Sequence, residues 1–218
     1  SSLKNVTTGY SNISIGTSSL IKTTTGKHNV AMGNSTLANI TNGDYNLAIG
    51  NDTLKTISSG SNNIAIGTSS NSASSSSDSN ISIGNLSAQN INGHTNNLIG
   101  TNSGINLIGS YNSGFGHYSF SNCKGDYNVA LGYQCLKNSQ TISNTRYSKN
   151  IFVGSYDNGG QLMVGNLNTG VGYNTQLSSS NDFNVSVGSY SLQNNSGFGN
   201  TAVGYQSNIK NTSKTYEE

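Results

Sequence analysis

The chain has 218 residues, of which only 8% are charged, and a formal net charge of +2. Its ten Lys+Arg form no basic stripe that could neutralise phosphates, which argues against a nucleic-acid partner. Hydrophobic residues are only 32%, with 27 glycines and no proline or tryptophan, yet they are strictly periodic, unlike those of disordered chains.

The period first shows at Asn12-Ile13-Ser14-Ile15-Gly16. It returns as Asn29-Val30-Ala31-Met32-Gly33, Asn46-Leu47-Ala48-Ile49-Gly50, Asn63-Ile64-Ala65-Ile66-Gly67 and Asn80-Ile81-Ser82-Ile83-Gly84. The closing glycines stand 17 residues apart, and a fixed period of this size signals a solenoid. Within each phrase, positions two and four are large and apolar, while position three is Ala or Ser. Alternation with period two predicts a β-strand with two unlike faces. Three residues after each glycine a small residue recurs (Ser19, Thr36, Thr53, Ser70, Ser87). An apolar residue usually follows it: Leu20, Leu37, Leu54, Ala88. Turn sequences such as Thr24-Thr25-Gly26 and Thr41-Asn42-Gly43 then restart the unit. Each unit is therefore expected to give two short strands and two turns, one coil of a solenoid.

Beyond Gly84 the period loosens but persists. Gly100, Gly116 and Gly132 follow at intervals of 16, Gly154 after 22, Gly172 after 18, and Gly188 and Gly204 after 16 each. Segments such as Leu107-Ile108-Gly109 and Leu162-Met163-Val164-Gly165 repeat the phrase inside a coil, as the second strand. The fold class read from this pattern is all-β: a parallel β-solenoid of about twelve coils of 16–18 residues. Its repeat domain spans 1–205, with regular coils over 1–93, looser ones over 94–205 and an insertion at 138–149. A polar cap or tail occupies 206–218. One coil cannot bury enough to stand alone, so stability must come from stacking. The Asn column (Asn12, Asn29, Asn46, Asn63, Asn80, Asn96, Asn112, Asn128) is placed to add amide ladders of the cross-β kind. So thin a coil has little interior volume, which makes the Ile/Val face a candidate for packing against another chain.

The phrase Asn63-Ile64-Ala65-Ile66-Gly67-Thr68-Ser69-Ser70 resembles the YadA-like head repeat of trimeric autotransporter adhesins. Similar phrases occur in phage tail-fibre and giant-virus surface fibre proteins, often with Gly-Tyr-Gln after the strand, as at Gly132-Tyr133-Gln134 and Gly204-Tyr205-Gln206 here. The resemblance covers nearly the whole chain. It implies a left-handed β-roll, three chains side by side, and a role in surface attachment. The implied partners are further copies of the chain and a host glycan or extracellular-matrix protein. The implied location is extracellular, on a cell or virion surface. The alternative is a purely structural filament or capsid-decoration subunit without a receptor. The sequence starts without Met or a leader, which reads as a processed form or an excised fragment.

Chemistry is sparse. His28, His94 and His117 stand in different columns, with no Cys or carboxylate at metal-ligand spacing. Neither a metal nor any other cofactor is expected. Cys135 belongs to the small-residue column with Ser119 and Ser191, Cys123 to another, so a disulfide between them is not expected. Asp44 and Asp126, in Gly-Asp-Tyr-Asn, read as turn residues rather than calcium ligands. Eight acidic residues are too scattered for a glycosidase pair, and the threonines form no flat rank for ice. An enzyme is not expected. No apolar run approaches the roughly 20 residues that span a bilayer, so no direct membrane insertion is expected. The candidate ligand-binding residues lie in the insertion: Gln140, Arg146 (the only arginine), Tyr147 and Lys149. Solenoids use insertions for contact, and Arg and Tyr are enriched in binding hot spots.

Overall fold

The structure, a computed structural model, describes residues 2–72, 76–138, 148–156, 165–175, 182–193 and 197–207. Twelve three-residue strands follow one another: β1 (Ile13–Ile15), β2 (Val30–Met32), β3 (Leu47–Ile49), β4 (Ile64–Ile66), β5 (Ile81–Ile83), β6 (Asn97–Ile99), β7 (Ser113–Phe115), β8 (Val129–Leu131), β9 (Ile151–Val153), β10 (Thr169–Val171), β11 (Val185–Val187) and β12 (Thr201–Val203). They form one parallel sheet in chain order. The described residues contain no helix, and so none that could cross a membrane. A parallel sheet whose neighbours are always consecutive, one strand per repeat, is a β-solenoid. We number each coil by its strand.

Register follows the phrase. Ile13 pairs with Val30, Ser14 with Ala31 and Ile15 with Met32, and the same pairing of equivalent phrase positions carries through to Thr201 and Val203 against Val185 and Val187. The closing glycines stack in one column, each amide donating to the strand end of the coil before it: Gly33 N–H to Ile15 O, and Gly84 N–H to Ile66 O, both at 2.8 Å. Their φ values run from 122° to 148°, and a Cβ on Gly67 would run into the backbone of Gly84. Only glycine fits both demands. The 22-residue interval does not break this column, since Gly154 N–H still reaches Leu131 O at 2.8 Å. Residues 139–147 of the insertion lie outside the described residues, as do 157–164 and 208–218. Gln206 and Ser207 remain bonded to the coil before them, through Ser189 O and Leu192 N–H.

The expected second strand of each coil is not present among the described residues. Opposite the sheet run turns, and the only ladder there is a pair of single-residue bridges from Ile108 to Asn92 and to Lys124. The cause is backbone conformation. Two left-handed residues, two positions apart, follow the closing glycines, as at Ser18 and Leu20, Ser35 and Leu37, and Asp52 and Leu54, the leucines at φ 48–49°. A left-handed non-glycine costs roughly 1–2 kcal/mol. Burying a leucine is worth roughly 1.5–3 kcal/mol, and Leu20, Leu37 and Leu54 are all fully buried. Burial wins, and the extended ladder on that side is lost.

The interior is filled by three columns: strand position three, the Leu20–Leu37–Leu54 column and the Ile40–Ile57 column. The first two exchange volume. Where the second shrinks to Gly104, strand position three grows to Leu98; where strand position three shrinks to Gly114, the second grows to Phe120. A Cβ on Gly114 would sit 2.8 Å from Phe120 Cδ2 and 3.1 Å from Leu98 Cδ2.

Two polar ladders line the corner before each strand. The amide ladder expected from the Asn column is present and extends past Asn128 through Asn150, Asn168, Asn184 and Asn200. Asn46 shows its form. Its backbone N–H and its Nδ2 both donate to Asn29 Oδ1 at 3.0 Å, and Nδ2 also donates to Gly60 O at 2.9 Å. A second ladder, two positions earlier, runs the opposite way. Lys27 N–H donates to Asp44 Oδ1 (2.7 Å), Ser61 N–H to Asp78 Oδ1 (2.7 Å) and Ser110 N–H to Asp126 Oδ1 (2.8 Å). The carboxylates of the Gly-Asp-Tyr-Asn turns thus accept the amide of the coil before, a use of Asp in keeping with turn chemistry.

Candidate interaction face

Strand position three points inward, so positions two and four point out. Ala31, Ala48, Ala65 and Ala130 are fully buried, whereas Ile13 and Ile15 are 52% and 55% exposed and Val203 is 70% exposed. Met32, Phe115, Ile151, Val171, Val185 and Val187 are also exposed. Across all twelve strands the outward positions carry no charge, and only Asn97, Ser113, Thr169 and Thr201 among them are polar. The result is an apolar stripe along the full length of the described solenoid. A parallel sheet is ordinarily covered on both faces. Here the inner face is covered by the chain itself and the outer face is not.

Aromatic columns border this stripe. On the side preceding the strand, the His28 and Tyr45 rings stack at 4.8 Å, and so do those of Tyr111 and Tyr127. Phe183 extends the same column, 59% exposed. On the side following the closing glycine, ring centroids run 5.8 Å from Tyr156 to Tyr173, 5.4 Å on to Tyr190 and 6.1 Å on to Tyr205. Lys27 and Lys137 lie over the rings of Tyr10 and Tyr118 at 5.0 and 4.8 Å, within cation–π range. Sequence reading missed these columns as a set. The signal was there: an aromatic residue recurring just before the Asn or just after the Gly of the phrase.

The residues singled out in the insertion do not come together as a described site. Gln140, Arg146 and Tyr147 lie outside the described residues. Lys149 is exposed, left-handed at φ 62°, and its N–H donates to Asp126 O at 3.1 Å. It occupies the column of Tyr111 and Tyr127, on the border of the apolar stripe. The histidines are spread along the solenoid: His28 stacks on Tyr45, His94 Nδ1 accepts the Asp78 N–H at 3.1 Å, and His117 stacks on Tyr118 at 4.3 Å. Among the described residues no three His, Cys, Asp or Glu converge as a metal site would require. Cys123 and Cys135 are both fully buried. Burial pushes the Cys135 thiol up to about 12, with a smaller contribution from Cys123, the opposite of an activated nucleophile.

The fold and this face define the class: a parallel β-solenoid repeat protein with one sheet face left uncovered. No protein-family profile, curated protein or solved structure matches the chain.

Proposed function

We propose that this chain is the repeat segment of a surface fibre or adhesive head, in which copies associate through the outward strand face. The observation that carries the reading is that uncharged, largely apolar face. An exposed apolar patch of such length is foreign to a soluble monomer, and obligate interfaces are built from surface of this kind. The number of copies, three, and the left-handed winding follow from the resemblance to adhesin head repeats. In that arrangement the stripes of three chains meet along a common axis, and the turns opposite them face outward on a cell or virion surface. The ligand is a host glycan or matrix protein, with Gln140, Arg146, Tyr147 and Lys149 as the contact residues.

Light scattering at micromolar concentration tests the association. The expected mass is three times the 22.7 kDa of one chain; a mass of one chain refutes it. Ile49→Lys together with Ile66→Lys, adjacent on the stripe, is expected to yield monomers. Attachment is tested separately, by binding the wild-type assembly to arrayed glycans and matrix proteins. Binding only to itself would favour a structural filament over an adhesin.

A further inference from the structure

Among the described residues of coils one to nine the apolar interior is interrupted once. There the buried apolar residues form two separate clusters, one from Leu20 to Ala65 and one from Ala88 to Phe152, while Leu192 and Ala202 further along belong to neither. Between them the interior columns change character. The Leu20–Leu37–Leu54 column continues as Asn71, then Ala88, and strand position three changes from Ala65 to Ser82. Asn71 and Ser82 are both fully buried. Among the described residues, none of Asn71 Oδ1, Asn71 Nδ2 and Ser82 Oγ has a hydrogen-bond partner. Their backbones are engaged: Asn71 N–H donates to Ser87 O at 2.8 Å, and the Ser70 hydroxyl donates to Ser82 O at 2.8 Å.

An unpaired buried polar atom costs about 1–3 kcal/mol, and three such atoms in one place are a large fraction of a domain's net stability. Coils two and three show that Ala with Leu fills the same positions without that cost. Space points the same way. Coil three fills its interior with Ala48, Leu54 and Ile57; coil five has Ser82, Ala88 and Ile91. Leu to Ala removes three carbons, and Ala to Ser returns one oxygen. A water molecule needs room and two to four polar partners, and an amide with a hydroxyl supplies donors and acceptors without a charge to favour an ion.

We infer that the interior between coils four and five is a hydration site, with ordered water bridging the Asn71 amide and the Ser82 hydroxyl. Asn71 Nδ2 donates to the water, which donates back to Oδ1 and exchanges a bond with Ser82 Oγ. The site also makes this joint weaker than the joints within either apolar cluster. Stability in a repeat protein is a sum of coil terms and neighbour interfaces, and this interface joins two apolar clusters that do not touch. Local opening starts here before it reaches either cluster.

The test is a high-resolution crystal structure of the whole chain. Ordered water within hydrogen-bond distance of Asn71 Oδ1 or Nδ2 and of Ser82 Oγ is the expected result. An Asn71 amide paired with protein groups, or no solvent density beside it, overturns the inference. The double variant Asn71→Leu, Ser82→Ala is expected to lose that density. It should also slow hydrogen exchange at the Ile64 amide, which donates to Asn80 O across the joint, at least about tenfold relative to the Val30 amide, which donates to Asn46 O. Unchanged relative exchange refutes the weak joint. If the variant does not fold, the wild-type density alone decides the hydration site, and Ile64 amide exchange no faster than that of Val30 in the wild type counts against the joint.

Discussion

Removing one rung of the buried amide ladder tests what holds neighbouring coils together. Asn46→Ala, at a position 1% exposed, deletes four hydrogen bonds: Nδ2 to Asn29 Oδ1, Nδ2 to Gly60 O, and the two that Asn63 donates to Asn46 Oδ1 at 3.0 Å. The losses are unequal. Asn63 Nδ2 keeps Ser61 O and Ser77 O, and Asn29 Oδ1 keeps the Asn46 N–H. The Asn63 N–H and the Gly60 carbonyl lose these partners inside the protein. At about 1–3 kcal/mol for each orphaned group, the variant is expected to lose about 4 kcal/mol. The comparison is Asn39→Ala, whose amide donates to Lys55 O at 2.8 Å in a solvent-exposed bond. There water replaces the partner, and the expected loss is below about 1 kcal/mol. Urea midpoints followed by far-ultraviolet circular dichroism read both, at one fixed protein concentration because association shifts apparent stability. Equal midpoints for the two variants would refute the claim that burial gives the ladder its strength.

Gly114→Ala presses a methyl group against Phe120 and Leu98 and is expected to cost about 1–3 kcal/mol by overpacking; adding Phe120→Leu should restore part of the loss in thermal melts. Gly67→Ala meets the Gly84 backbone at φ 128°, where no side-chain motion helps, so the expected loss exceeds about 4 kcal/mol and shows as loss of soluble folded protein. Cys135 titrates at about 12 when folded against 9.0 ordinarily. Above pH 9 the unfolded chain therefore releases a proton that the folded chain keeps, and stability falls as pH rises from about 9 to 12. Cys135→Ser should remove that part of the pH dependence, read as the difference between the two proteins' urea midpoints across the window. Arg146→Ala with Tyr147→Ala is expected to abolish attachment with the melting temperature nearly unchanged, and unaltered attachment would remove the insertion from the contact surface.

Much of the fold was legible because its causes are local and repeated. The glycine column could be traced through Gly132 and Gly154 despite the long interval, since the phrase around each stayed intact. The Asn column could be assigned a ladder because identical amides at one register position must face each other. The second strand was misjudged. Nothing in Ser18-Ser19-Leu20 advertises left-handed backbone, which is usually the province of Gly and Asn; leucine is held there only by its burial. The aromatic borders went unassembled because tyrosines one and two positions after the glycine join a single ring column only once the turn is built.

Sequence alone determined the period and the parallel register, because each is a property of one coil copied along the axis. Tertiary structure decided that the small strand residue points inward, what lies opposite the sheet, how Leu98 and Phe120 exchange volume with Gly104 and Gly114, and that the Asn71 and Ser82 side chains meet no partner among the described residues. Those outcomes depend on contacts across the coil and between unlike coils. A repeat pattern specifies what is the same from coil to coil; packing is decided where neighbouring coils differ.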